Sequence, residues 1–451
     1  MSELKISISG VRGIWNESLT FEVLFKYLNA FANFLLKRKA KKILVGRDGR
    51  ITGGLILNLT NYVITSYGID VYDGGIIPTP TVLFEVRRGR FDGGLIITAS
   101  HNPEEWNALK FVSGKGYFFS ESELNELLSY IDLKFEPVQY KKVGKQFNYG
   151  DICKFHIDSI LKHIDSDVIR AKSFKVVLDP VNSAGGEITF ELLNKLGCNV
   201  VMVNGEVNGF FGRKPEPTPE NLTHLKKIVL KNRATIGFAQ DPDADRLVIV
   251  DENGNVLSEE FTLALCVKHI LSMQKGDVVI NLSTSMMSEE IAKSYGCKCY
   301  RTKVGEANVV EGIVRYKAII GGEGNGGVIY PQINLARDSL TGIAIILEML
   351  ALNGKKISEE VSSLPKFFMK KDKISVSKNW KEISERVYNY LCKDFSDISV
   401  IDGLWANFKG NKKGWIHIRP SNTEPVIRII GESEDEALLE SVFLKIRELC
   451  F

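Results

Sequence analysis

Short, almost wholly apolar runs recur along the chain, and each ends in a polar loop. One set comprises KKILVGRDGR (41–50), FKVVLDPVNSAGG (174–186) and DVVINLSTSMM (277–287). A second comprises GGLIITASHNP (93–103), ATIGFAQDPDADR (234–246) and KAIIGGEGNGG (317–327). Runs this short and this rich in β-branched residues predict strands buried on both faces. Between them, NLTHLKKIVLKN (221–232) and SMMSEEIAKSYG (285–296) place apolar residues at helical spacing. Strands alternating with helices predict α/β units with parallel or mixed sheets, and the threefold recurrence predicts three related domains. Ligands of open α/β sheets sit beyond the carboxyl ends of the strands, where these polar loops lie.

The C-terminal pattern is different. A helical SKNWKEISERVYNYLCKDF (377–395) is followed by strand-like WIHIRP (415–420) and PVIRIIGES (425–433), then a helical EDEALLESVFLKIREL (434–449). This predicts a smaller α+β domain. The expected units are 1–150, 151–253, 254–368 and 369–451.

Composition narrows the class. A chain of 451 residues exceeds a single core, since domains commonly run about 100–200 residues. A hydrophobic share of 44%, a charged share of 25% and a net charge of +3 describe an ordinary globular protein without the basic block of a nucleic-acid or membrane-surface binder. The 7 cysteines are odd in number and form no repeating framework, as expected of reduced thiols in a cytoplasmic protein. Cys297 and Cys299 lack the second pair that a zinc site needs. The N-terminus has no apolar signal-peptide core. The most apolar stretch, TGIAIILEMLAL (341–352), is short and contains Glu348, so it predicts a buried helix rather than a membrane span.

Four loops carry candidate chemistry. In TASHNPEEWNALKF (98–111), Ser100 follows a buried strand and precedes a turn-forming Asn-Pro. On its own it reads as a turn or cap serine. No G-x-S-x-G surrounds it, and His101 would point away from it were both residues extended, so a hydrolase triad is disfavoured. Lys110 is a candidate cation nearby.

In DPDADR (241–246), three carboxylates at alternating positions can converge on a hard cation such as Mg²⁺ if the loop curls. An EF-hand is excluded by Arg246 at its glycine position and by the strand-like LVIV (247–250); a solvated acidic turn stays open. GGEGNGG (321–327) is neither a P-loop nor a dinucleotide fingerprint, but Glu323 and Asn325 can bind sugar hydroxyls. In RPSNTEPVIR (419–428), two arginines bracket donor-rich residues suited to a phosphate.

In this order, with SGVRG (9–13) before them, the loops resemble those of the α-D-phosphohexomutase family across nearly the whole chain. The resemblance implies three related α/β domains with mixed sheets plus a smaller C-terminal α+β domain around a central cleft. It implies a catalytic set of Ser100, Lys110, Arg12 and His101, with Ser100 phosphorylated. It implies Mg²⁺ held by Asp241, Asp243 and Asp245 together with the phosphate on Ser100, and Arg246 approaching that phosphate. Glu323 and Asn325 would bind the sugar, with Thr302 and Gly305 of TKVGE (302–306) beside it. Arg419, Ser421, Asn422, Thr423 and Arg428 would hold the phosphate that is not reacting.

Two departures stand out. Many family members read G-E-x-S-G-H in the sugar loop, whereas Asn325 and Gly327 stand here in place of the serine and histidine, which shifts the proton-transfer role toward Lys110. Ala108 also replaces a usual glycine two residues before Lys110. The expected reaction interconverts hexose 1- and 6-phosphates, as a phosphoglucomutase/phosphomannomutase, through a hexose 1,6-bisphosphate that also serves as activator. A phosphoglucosamine mutase, a Mg²⁺-dependent sugar phosphatase and a non-enzymatic sugar-phosphate binder are the alternatives. Sugar phosphates are the expected partners, with no nucleic acid and no membrane; a homodimer is allowed for, since nothing in the sequence fixes the oligomeric state.

Overall fold

The computed structural model describes residues 4–375, 379–410, 412–420 and 426–450. The first sheet contains β1 (Lys5–Ser7), β2 (Gly10–Ile14), β3 (Lys42–Arg47), β4 (Asp70–Ile76), β5 (Gly93–Ile97), β6 (Trp106–Ser113) and β7 (Gln146–Asn148), in the order β1-β2-β6-β5-β3-β4-β7. The second contains β8 (Lys175–Asp179), β9 (Asn199–Met202), β10 (Ile236–Gln240) and β11 (Leu247–Val250), ordered β11-β10-β8-β9. The third contains β12 (Val278–Asn281), β13 (Cys299–Thr302), β14 (Ile320–Glu323) and β15 (Gly327–Ile329), ordered β13-β12-β14-β15.

One motif underlies all three. Within the first sheet, β5 pairs parallel with β3 and β3 with β4, while β6 flanks β5 antiparallel and β2 continues the sheet beyond it. In the second, β10, β8 and β9 are parallel and β11 is the antiparallel edge. In the third, β14, β12 and β13 are parallel and β15 is the antiparallel edge. Two kinds of loop therefore recur: one leaves the first parallel strand for a helix, and one turns from the last parallel strand into the antiparallel edge. The second kind carries residues 98–105, 241–246 and 324–326 in the three domains.

The burial pattern explains the sequence signal. Strands β10, β11, β12 and β14 are buried at every position, because helices cover both faces. The first domain packs Phe31 and Phe34 of helix Phe21–Lys37 on Phe111 and Phe119. The second and third domains share one core, which runs from Ile157 to Leu364. Helix Ser339–Asn353 is the apolar stretch read above, and Glu348 within it is buried because it accepts from His269 Nε2 (2.8 Å) and the Asp165 amide (2.6 Å).

The fourth domain is built otherwise. Strands β16 (Phe368–Ser375), β17 (Phe395–Ser399), β18 (Leu404–Phe408), β19 (Gly414–Pro420) and β20 (Val426–Ser433) form an antiparallel sheet ordered β16-β20-β19-β18-β17. Strand β20 alternates partly and fully buried positions over Val426–Gly431, the mark of a sheet packed on one face. Helices Trp380–Asp394 and Glu436–Cys450 cover that face. The helical stretch read at 285–296 begins only at Met287, because the Ser285 hydroxyl and Met286 amide are taken up by Glu432 of the fourth domain. Among the described residues no helix is long and apolar enough to cross a membrane, and the cysteines are unpaired.

Candidate functional site

Ser100 lies in the β5–β6 turn with φ of 51°, a left-handed backbone that costs a non-glycine residue roughly 1–3 kcal/mol. The β3 loop of the same domain holds it there. Arg50 is 1% exposed and donates through Nη2 to the carbonyls of Ser100 (2.8 Å) and Asn102 (2.5 Å). Its Nη1 is ion-paired with Asp48, which also accepts from Thr98 Oγ1 (2.5 Å), and Thr98 Oγ1 in turn accepts from the Ser100 amide (2.9 Å). Neither Asp48 nor Arg50 was singled out in the sequence, although both stand in the strand-end loop KKILVGRDGR.

The DPDADR turn faces Ser100 from the second domain. Ser100 Oγ donates to Asp241 Oδ2 at 2.9 Å. The three aspartates are buried, with a carboxylate oxygen from each lying within 4.8 Å of the others. The loop curls because Asp241 Oδ1 accepts the amides of Asp245 and Arg246 (3.1 Å each) and Ala244 adopts φ of 54°. Burial, together with the charges of Asp245 and Asp243, pushes Asp241 well above the usual carboxylate range. Burial also opposes ionisation of Asp243, but the Lys110 charge and the Lys110 and Thr79 hydrogen bonds hold that carboxyl below its usual value.

The decisive detail is what the carboxylates lack. Asp243 Oδ1 and Asp245 Oδ1 are buried and have no hydrogen-bond donor among the described residues. Buried acceptors left unpaired are costly. An all-oxygen set with two such atoms fits a hard divalent cation, Mg²⁺ above all.

Strand register supplies the surrounding charge. Arg12 pairs with Ala108 across β2 and β6, so Lys110, two positions along, lies on the same face. Ala108 thus leaves the placement of Lys110 intact, and Lys110 Nζ donates to Asp243 Oδ2 at 2.7 Å. Arg12 Nη1 donates to Asn102 Oδ1 (2.5 Å), and burial lowers its pKa to about 10 against the pull of Asp243, which leaves it cationic at neutral pH. Arg246 lies beside Asp245, Nε to Oδ1 3.8 Å.

His101 departs from the sequence expectation. The left-handed Ser100 turns the chain so that His101 Nδ1 faces Ser100 Oγ at 3.4 Å rather than pointing away. Burial, reinforced by Arg246 and Arg12, holds its pKa well below the usual value, so the ring is neutral at physiological pH.

The third domain brings Glu323, Asn325 and Gly305 together. Glu323 Oε1 accepts from the Gly305 amide (2.8 Å) and Asn281 Nδ2 (2.7 Å); its Oε2 accepts from Arg337 Nη1 (2.9 Å) and Asn325 Nδ2 (3.4 Å). Gly305 has φ of 121°, a conformation that suits glycine. Thr302 turns its hydroxyl to the Lys303 carbonyl (3.1 Å). Arg337 and Glu306 are central here yet unremarked in the sequence; the clue was an Arg-Asp pair directly before an apolar helix.

In the fourth domain, Arg419 is largely buried and directly opposite Arg428 across β19 and β20. Ser421, Asn422 and Thr423 lie outside the described residues. Like charges directly opposite in a sheet repel, and at Arg419 the Asp402 carboxylate offsets the charge of Arg428. The domain is tied to the third by His417, whose Nδ1 faces Ser283 Oγ (2.8 Å) and whose Nε2 faces the Asp402 carbonyl (2.6 Å). Asp402 Oδ2 also accepts the Val304 amide (2.9 Å), so the TKVGE loop is pinned from both sides.

Comparison with known proteins agrees in every domain. Four family profiles match in order: phosphoglucomutase/phosphomannomutase alpha/beta/alpha domain I over residues 4–136, domain II over 154–254, domain III over 258–368 and the C-terminal domain over 375–449. A phosphoglucomutase/phosphomannomutase of Thermococcus kodakarensis is 38% identical over 95% of this chain and 94% of its own. A phosphoglucosamine/phosphogalactosamine mutase of Sulfurisphaera tokodaii is 32% identical over 98% of this chain and 97% of its own. A solved phosphoglucomutase/phosphomannomutase family protein of Burkholderia thailandensis shares the fold with a TM-score of 0.84 at 24% identity, covering 98% of this chain and 97% of that one. The chain belongs to the α-D-phosphohexomutase family, whose members are intramolecular phosphotransferases.

Proposed function

We propose that this enzyme interconverts hexose 1- and 6-phosphates of glucose and mannose, with Ser100 as the phosphoryl carrier. The observation that carries this reading is the Ser100 turn: a strained serine, 2.9 Å from a buried carboxylate whose two neighbours each keep one oxygen free of donors among the described residues. Asp241, Asp243 and Asp245 would hold Mg²⁺, which when bound neutralises charge on the transferring phosphoryl oxygens.

The protein's own groups do the rest. In the forward half, the Oγ–P bond of phosphoserine breaks as a sugar hydroxyl oxygen bonds to phosphorus, and the hydroxyl proton passes to a base on the protein. The hexose 1,6-bisphosphate reverses in the cleft and returns its other phosphoryl group to Ser100, taking the proton back. Arg12, Lys110 and Arg246 surround Ser100 with positive charge where the transferred group gains negative charge. Lys110 is ion-paired to Asp243, whereas neutral His101 has a ring nitrogen 3.4 Å from Ser100 Oγ. His101 therefore stands beside Lys110 as a second candidate proton acceptor. Glu323 and Asn325, with Gly305 and Thr302 beside them, would bind the sugar. Arg419 and Arg428, with Ser421, Asn422 and Thr423, would bind the distal phosphate through charge-assisted hydrogen bonds.

The Sulfurisphaera relative supports glucosamine phosphates as a second substrate class. Incubation with glucose, mannose and glucosamine 1-phosphates, Mg²⁺ and catalytic hexose 1,6-bisphosphate, followed by phosphorus NMR, tests the reading. The expected product is the 6-phosphate, formed fastest from glucose or mannose. Net release of inorganic phosphate would favour a phosphatase, and no turnover a binding protein.

A further inference from the structure

Gly327 stands where many family members carry a histidine, and the structure shows what fills that space. A Cβ built on Gly327 would lie 2.3 Å from Cδ and 2.8 Å from Cγ of Arg337. The stem of Arg337, entering from the segment before helix Ser339–Asn353, therefore occupies the room a side chain at 327 would need. Its guanidinium then reaches three buried carboxylates at once. Nε donates to Glu306 Oε2 (3.0 Å), Nη1 to Glu323 Oε2 (2.9 Å), and Nη2 forms a close ion pair with Asp245 Oδ2.

The pairing leaves Asp245 with one oxygen fixed by Arg337 and the other, Oδ1, buried without a hydrogen-bond donor among the described residues. It likewise fixes Glu323 between Arg337 on one oxygen and the Gly305 amide on the other. Only a planar fork with donors in several directions can do this; a lysine ammonium offers one point. We propose that Arg337 is a positioning residue, admitted by Gly327, that aims Asp245 at the cation and Glu323 at the sugar and so joins the two loops into one unit. The proposal rests on the reading of the 241–245 loop as the cation site. Second-sphere partners of metal ligands typically contribute 10–100-fold to affinity.

The test uses the metal-free full-length protein and Mn²⁺ as the probe, titrated calorimetrically, with KM and kcat measured separately. Arg337→Gln is expected to weaken Mn²⁺ binding about 10–100-fold and to raise KM for the sugar phosphate. Arg337→Lys should recover part of both. Gly327→Ala keeps every donor but displaces the stem of Arg337, so it should weaken Mn²⁺ in the same direction. Should Arg337→Gln fail to fold, as a thermal melt will show, Gly327→Ala decides. The proposal is overturned if the folded variants bind Mn²⁺ within about twofold of the parent protein, a change too small for such a partner. Failure of the parent protein itself to bind Mn²⁺ would instead refute the cation site.

Discussion

The 241–245 loop and the loop at Glu323 occupy the same place in two copies of one motif, yet they treat their carboxylates oppositely. In the first, three aspartates crowd together and two oxygens face no donor among the described residues. In the second, both oxygens of Glu323 are already satisfied, by two donors each. An unpaired buried acceptor suits the cation proposed for the first loop, whereas a fully paired Glu323 would take a sugar hydroxyl only in exchange for one of its protein donors. The shared fold thus sets where a loop stands, and the local hydrogen-bond count differs between the two.

Substitutions that separate the two loops sharpen the contrast. Asp243→Asn removes a proposed cation ligand and the partner of Lys110, and should lower both Mn²⁺ affinity and kcat by at least about 100-fold. Calorimetry and steady-state rates check it; unchanged Mn²⁺ binding would move the cation elsewhere. Glu323→Gln should cut kcat/KM about 10–100-fold, mainly through KM, because a Gln amide presents donors to Arg337. Mn²⁺ affinity should move far less than in Asp243→Asn, and an equal loss in both would erase the distinction.

His417, at the joint between the third and fourth domains, makes an acid-sensitive contribution to stability, opposed at the same joint by Glu260 and Glu432, whose carboxyls burial raises. Burial lowers His417 from its usual value to about 4. Between about pH 4 and 6.5 the unfolded chain therefore binds more protons at this site than the folded one, so stability rises with pH across that window and is lost on acidification. The loss should approach at most about 3 kcal/mol. Thermal melts at pH 7 and pH 5 read it, and His417→Asn should flatten the difference; an unaltered slope removes His417 from the account.

Backbone strain gives the smallest effects. Ala244 and Gly326 both have positive φ, 54° and 85°. A Cβ at 326 would lie 2.4 Å from the Leu247 carbonyl, whereas Ala244 already carries one. Gly326→Ala should therefore destabilise by about 2 kcal/mol or more, while Ala244→Gly should change stability by about 1 kcal/mol or less. Melting temperatures compare the two; equal shifts would show that the close approach at 326 is relieved by relaxation.

Much of this was legible because it is local. Apolar runs marked strands such as β10 and β14, and spacing marked DPDADR as a cluster that could converge. What escaped depended on contacts between distant segments. Arg337 matters because it meets Asp245, Glu306 and Glu323 from three separate segments. The orientation of His101 depended on the left-handed Ser100, which Arg50 and Asp48 enforce from about fifty residues upstream. Strands β16, β17 and β18 are partly exposed, polar or short, and gave no run to read.

The central claim is that Ser100 carries the phosphoryl group, and one pulse-chase tests it. The protein is charged with radiolabelled hexose 1,6-bisphosphate and Mg²⁺, then chased with unlabelled glucose 1-phosphate. The account predicts label on the peptide containing Ser100, chased into hexose phosphates and absent from Ser100→Ala. Label that never attaches to Ser100, or that leaves it only as inorganic phosphate, would contradict it.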